Sequence, residues 1–174
     1  MDNTELRSEL LGVTKLAAEY CALLENARSM ETSDFVADTL SLLSRIYHAF
    51  LTLDVAEEDA ALEYDYFPSY VDEVFYDSVR RNVEAMLGPD DVFLETFEED
   101  MKYSDTPIAA SVSECLADIF QPLYNFISIV KESEGVQSLA AYRECREDFV
   151  SYWAQTLCNV MRALNHIHFN ENQP

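Results

Sequence analysis

The sequence predicts an all-α fold, a single domain over residues 1–174 built as a bundle of about five main helices, with a long acidic connection after the second. Three observations predict it. Apolar residues recur at alternating spacings of three and four over long stretches, which is the period of a helix with one buried face. Glycine and proline are sparse, at three and five residues, whereas a β-sandwich needs a turn roughly every ten residues. Apolar side chains make up 49% of the chain, and a chain of this length buries roughly 70% of its unfolded surface, so its core needs neither a disulfide nor a structural metal.

The first helix runs from Glu5 to about Arg28, with Leu6, Leu10, Val13, Ala17, Tyr20, Leu24 and Ala27 on one face. The second begins near Thr32 or Ser33 and places Val36, Leu40, Leu43, Tyr47 and Phe50 on a stripe. Phe35, Leu42, Ile46, Ala49 and Leu53 widen that stripe, so this helix is expected to be the central one. Residues 54–70 break the period. Six acids there lead into and alternate with Tyr64, Tyr66, Phe67, Pro68 and Tyr70, the pattern of an aromatic connection packed over the bundle, with a turn or two of helix around Ala56–Leu62.

A third helix follows Asp72 and carries Val74, Phe75, Val79, Val83, Met86 and Leu87 inward, until Gly88-Pro89 stops it. Residues 90–106 show no clear period and read mostly as loop. Thr106-Pro107 reads as a cap followed by proline at the first helical position. It opens a helix with Ile108, Val112, Cys115, Ile119, Leu123, Phe126 and Val130 inward, bent at Pro122. The last helix starts near Ser138 and buries Tyr142, Cys145, Phe149, Trp153, Leu157, Val160, Leu164 and Ile167. No internal period of solenoid length appears.

The stretch Met101–Asp118, reading MKYSDTPIAASVSECLAD and continuing IFQPLYNF, resembles an uncharacterised bacterial all-helical domain family of unknown function. Glu19-Tyr20-Cys21, Asp77-Ser78-Val79-Arg80-Arg81, Gly88, Asp91 and the Trp153–His166 segment belong to the same resemblance, which covers essentially the whole chain; Pro122 departs from it. The resemblance implies a compact helical bundle in a bacterial cytoplasm. It implies no activity and assigns no catalytic residue.

The net charge of −22 repels phosphate backbones and anionic lipid heads, so neither direct nucleic-acid binding nor a membrane partner is expected. Residues 54–100 hold sixteen acids against Arg80 and Arg81, a net of −14. Cys21, Cys115, Cys145 and Cys158 are widely spaced inside apolar helical patterns, which fits buried free thiols rather than a disulfide framework or a zinc site. Met1-Asp2-Asn3-Thr4-Glu5 lacks the basic start and apolar run of a secretory signal, and no run approaches the length of a membrane span, so a cytoplasmic location is expected.

Glu114 and Asp118 stand four apart on a helix and present two carboxylates to one side, the geometry that shares a divalent cation. With Glu95 and Glu98 they approach the acid pattern of all-α nucleotide pyrophosphohydrolases, although the second pair is spaced by four rather than three. A di-iron bundle is excluded, because no Glu is followed by His at a spacing of three. Three glycines build neither a P-loop nor a dinucleotide loop. His48 reads as packed beside Tyr47 and Phe50, and His166 and His168 as cations at a helix end.

Tyr142, Phe149, Tyr152 and Trp153 read as core. Tyr103-Ser104-Asp105, ahead of the helix opened by Thr106-Pro107, form the candidate binding loop, because a helix N-terminus offers unpaired amides there. Arg80, Arg81 and Arg146 are the scarce cations to join it.

The leading expectation is a non-enzymatic module that offers the acidic, aromatic surface of residues 54–100 to a basic protein partner, with no cofactor. The alternatives are a DNA-mimic inhibitor and a metal-dependent enzyme acting on a phosphate-containing small molecule, whose divalent cation would sit at Glu114 and Asp118.

Overall fold

A computed structural model describes residues 3–55, 66–95, 103 and 106–170. Helix α1 spans Asn3–Glu25 and α2 Thr32–Thr52, joined by a single turn at Ala27–Ser29. After the connection come α3 (Glu73–Leu87), a turn at Gly88–Asp91 and strand β1 (Val92–Glu95). Strand β2 (Ile108–Ser111), α4 (Val112–Glu132), α5 (Ser138–Asp148) and α6 (Ala154–Asn170) complete the chain, α5 and α6 being linked by a π-helical turn at Phe149–Trp153. The all-α bundle holds, with a small antiparallel ribbon added.

The ribbon corrects two sequence expectations. Val92 pairs with Ser111 and Glu95 with Ile108, so residues 92–95 are strand rather than loop and Thr106-Pro107 opens no helix. The helix starts five residues later, where the Ser111 hydroxyl accepts the Glu114 N–H at 3.2 Å. The residue before a proline is pushed toward extended backbone, and the Val92-Phe93-Leu94 run offers that extended segment a partner. Asp72 caps α3 as its position predicts, accepting the Phe75 N–H at 2.8 Å.

One continuous core links all the helices. Its centre is α4 rather than α2: α4 packs against α1, α3, α5 and α6 and buries ten residues to the seven of α2. Ser113 and Ala117 on α4 are fully buried, and side chains this small let neighbours approach on more than one side. Pro122 does not interrupt α4, which is helical from Val112 to Glu132. The Pro122 carbonyl instead accepts the Cys145 thiol at 3.6 Å, tying α4 to α5.

Around Phe50 the rings of Tyr142, Phe149 and Trp153 lie at centroid distances of 5.3, 5.4 and 4.9 Å, tilted and edge-on contacts that aromatic quadrupoles favour. The Tyr142 hydroxyl donates to the Leu53 carbonyl at 2.7 Å and so closes the end of α2. The π turn inserts a residue into the last helix, which lets Phe149 and Trp153 face the same core. The Trp153 indole N–H donates to the Cys145 carbonyl at 3.3 Å, an oxygen that also accepts the Phe149 backbone N–H.

Five side chains depart from their predicted burial. Ile108 is 39% exposed because it lies on the two-stranded ribbon rather than on a helix face. Tyr152 is 57% exposed on the π turn, where its hydroxyl reaches Asp118. Val74 is 79% exposed, at the solvent side of the first turn of α3. His48 is exposed on α2, one residue past Tyr47, whose ring meets Phe149. Cys158 is exposed because Leu157 takes the core position beside it. The expected helical turn at Ala56–Leu62 lies outside the described residues. Among the described residues no helix is long and apolar enough to cross a membrane.

Candidate functional site

The Asp118 carboxylate accepts two tyrosine hydroxyls, Tyr76 from α3 at 2.7 Å on Oδ1 and Tyr152 from the π turn at 3.0 Å on Oδ2. Burial, and then Asp118, push the Tyr152 phenol up to about 12, and the same two causes raise Tyr76. Both phenols therefore stay protonated as donors. Asp118 thus joins three elements, α3, α4 and the π turn, at a half-buried position. Glu114, four residues earlier, is exposed. Among the described residues no three His, Cys, Asp or Glu side chains gather within reach of one metal ion.

The predicted binding residues that are described, Tyr103, Arg80 and Arg146, sit on three different segments. Tyr103 is 91% exposed, and Ser104 and Asp105 lie outside the described residues. Arg80 is held on its own helix, donating to Asp77 at 2.9 and 3.1 Å and to Glu84 at 2.8 Å. Arg81 also reaches Asp77, at 2.7 Å. Arg146 donates to the Phe50 carbonyl at 3.3 Å and lies 3.4 Å from Asp54, pinning the end of α2 to α5. These arginines serve the fold and are spent on intramolecular acids.

Sequence reasoning missed a cavity of about 240 Å³ where Tyr66, Phe67, Pro68 and Ser69 pass over α4 and α5. Its floor is Pro122, Phe126, Ile129, Ala141 and Cys145, and its polar wall is Gln121, Asn125, Glu144 and Asp148. The connection is anchored beside the cavity by two bonds. Tyr70 donates its backbone N–H to the Asn125 side-chain oxygen at 2.8 Å and its hydroxyl to Glu132 at 2.5 Å.

Glu144 Oε2 is sealed from solvent and finds no hydrogen-bond partner among the described residues. Burial, then Asp148 and Glu147, raise the Glu144 carboxyl above the usual range; burial and Glu147 do the same to Asp148. A legible signal existed. Gln121 and Asn125 on α4, and Glu144 and Asp148 on α5, are polar pairs spaced by four beside each helix's apolar stripe, so each pair lies on one face.

A second recess lies between β1 and α6, where Val92 and Leu94 are 65% and 54% exposed and Phe169 is 61% exposed. Arg162 donates to the Leu94 carbonyl there, fastening the ribbon to α6.

The chain matches, over residues 4–170, a family model described as a domain of unknown function (DUF5063). Its fold is similar to the crystal structure of protein BF1032 from Bacteroides fragilis, a structural-genomics target, with a TM-score of 0.76, 29% identity and 92% of each chain covered. No curated protein matches the chain.

Proposed function

For a chain that belongs to the DUF5063 family of unknown function, we propose a non-enzymatic protein-interaction module whose acidic, aromatic surface along residues 54–100 binds a basic partner. One observation carries the reading. Tyr66, Val74, Val92 and Leu94, each more than half exposed, all fall within the stretch that holds a net charge of −14. Exposed apolar side chains among acids supply both anchors that lose water on contact and a field that steers a cation toward them. Arg80 and Arg81 add little counter-charge, because Asp77 and Glu84 already hold them.

The test is fluorescence anisotropy with labelled peptides of equal length, one rich in Lys and Arg and one rich in Asp and Glu, over a range of salt. The expected result is binding of the basic peptide alone, weakened as salt rises, and weakened several-fold by Tyr66→Ala or Val74→Ala. Equal affinity for both peptides, or none for either, would overturn the reading.

A further inference from the structure

We propose that the outer side of α2 and α6 is a self-association face, on which a second copy of this chain packs about a two-fold axis. The inference is independent of the basic-partner reading, because it uses the part of the surface that the acids leave bare. No acid occurs between Asp38 and Asp54 or between Asp148 and Glu171, the two longest acid-free runs in the chain. An even spread of the 33 acids would place about seven in those runs. The fold sets the two runs side by side. The Tyr47 ring of α2 meets Phe149 at 5.6 Å, the Phe50 ring meets Trp153 at 4.9 Å, and α2 packs against α6. Burial does not account for the missing acids. Ser44, His48 and Asn165 are exposed, and Leu51 and Phe169 are 58% and 61% exposed, positions where an acid would cost no packing.

Charge selects the occupant. In a two-fold contact each surface meets its own copy, so a patch of one sign repels itself. Two molecules of net charge −22 therefore meet at least cost where neither presents a carboxylate. A basic partner gains nothing from this face. A polyanion gains little, since Arg45 and Arg162, the only Lys or Arg side chains of the two runs, are already held by Glu19 at 3.7 Å and by the Leu94 carbonyl. Leu51 and Phe169 supply apolar anchors. Two helices abreast give a face about 25 Å long and about 20 Å wide, at the small end of specific interfaces, so the dimer is expected at micromolar rather than nanomolar concentration.

The test is sedimentation equilibrium of the full chain from micromolar to millimolar concentration, at low and at high salt. The expected result is a monomer–dimer equilibrium that tightens several-fold as salt rises, because screening relaxes the repulsion between the acidic remainders of the two copies. That dependence is opposite in sign to the one expected for a basic peptide. Ser44→Glu and Asn165→Glu each put a carboxylate on the face and should weaken the dimer at least tenfold. Both positions are exposed, so each variant should melt as the parent does where both are monomeric. Val136→Glu, at an exposed position in the turn between α4 and α5, should leave the dimer unchanged.

Amide shifts read by NMR over the same concentrations locate the contact, and should move at residues 41–52 and 155–169. A monomer at every concentration and salt would overturn the proposal. So would a dimer that loosens as salt rises, one that Ser44→Glu and Asn165→Glu leave intact, one that Val136→Glu weakens as much, or one whose shifts fall in other segments.

Discussion

The Asp91 carboxylate takes both donors of Ser113, the backbone N–H on Oδ1 at 2.7 Å and the hydroxyl on Oδ2 at 2.8 Å. The Ser111 hydroxyl, 3.0 Å from Oδ2, completes the set. Asp91 and Ser113 are both buried, so the turn after α3, the ribbon and the start of α4 are locked by one carboxylate. A negative charge there also suits the positive end of the α4 dipole.

Asp91→Ala strands the buried Ser113 N–H and leaves the Ser113 hydroxyl with only the Ser111 hydroxyl, 2.7 Å away; it should cost about 3 kcal/mol by urea denaturation, in the range for losing charge-assisted bonds to buried groups. Ser113→Ala removes one hydroxyl and should cost about 1 kcal/mol. A value for Asp91→Ala no larger than that for Ser113→Ala would show that the lock does not hold the two segments together.

The buried phenols make an alkaline limit. Burial raises Tyr20 well above its ordinary value and raises Tyr142, while Tyr152 is pushed up to about 12. Between 10.0, where an unfolded tyrosine ionises, and the folded value, the folded chain keeps protons that the unfolded chain has lost. The unfolded state then binds fewer protons, so stability falls as pH rises through that window and is unaffected below it. The urea midpoint should drop steeply above pH 10, and the double variant Tyr20→Phe, Tyr142→Phe should flatten the drop. An unchanged slope in that variant would place the alkaline sensitivity elsewhere.

Thiol reactivity follows burial in the same way. Cys21, Cys115 and Cys145 are buried and Cys158 is exposed; burial pushes Cys115 up to about 12 and Cys145 well above its ordinary value. A thiolate-seeking reagent at pH 8 should therefore label one thiol per native chain, none in Cys158→Ser, and all four of the parent's thiols in denaturant. Rapid native labelling of a second thiol would contradict the packing around α4.

The sequence carried more of this structure than its period alone revealed. The last stripe steps by four from Cys145 to Phe149, Trp153 and Leu157. Those twelve residues cover three turns, where an α-helix takes about 10.8, and the surplus of about one residue is the π turn. Ser111-Val112-Ser113-Glu114 is likewise the S-x-x-E spacing of a helix start, a better boundary than Thr106-Pro107. The cavity was the harder case: its two polar pairs are visible, but their facing across α4 and α5 is not.

By itself the sequence determined the helices, their buried stripes and the concentration of acid in residues 54–100, because periodicity, capping and charge are local properties of the chain. Only the tertiary structure decided the rest. Pairing of Val92–Glu95 with Ile108–Ser111 joins segments far apart in sequence; the central place of α4 depends on which helices surround it; and the enclosure of Glu144 Oε2 depends on how the chain crosses α4 and α5. Each is a contact between distant segments, whose free energy exists only once the chain has closed on itself, and no local pattern encodes it.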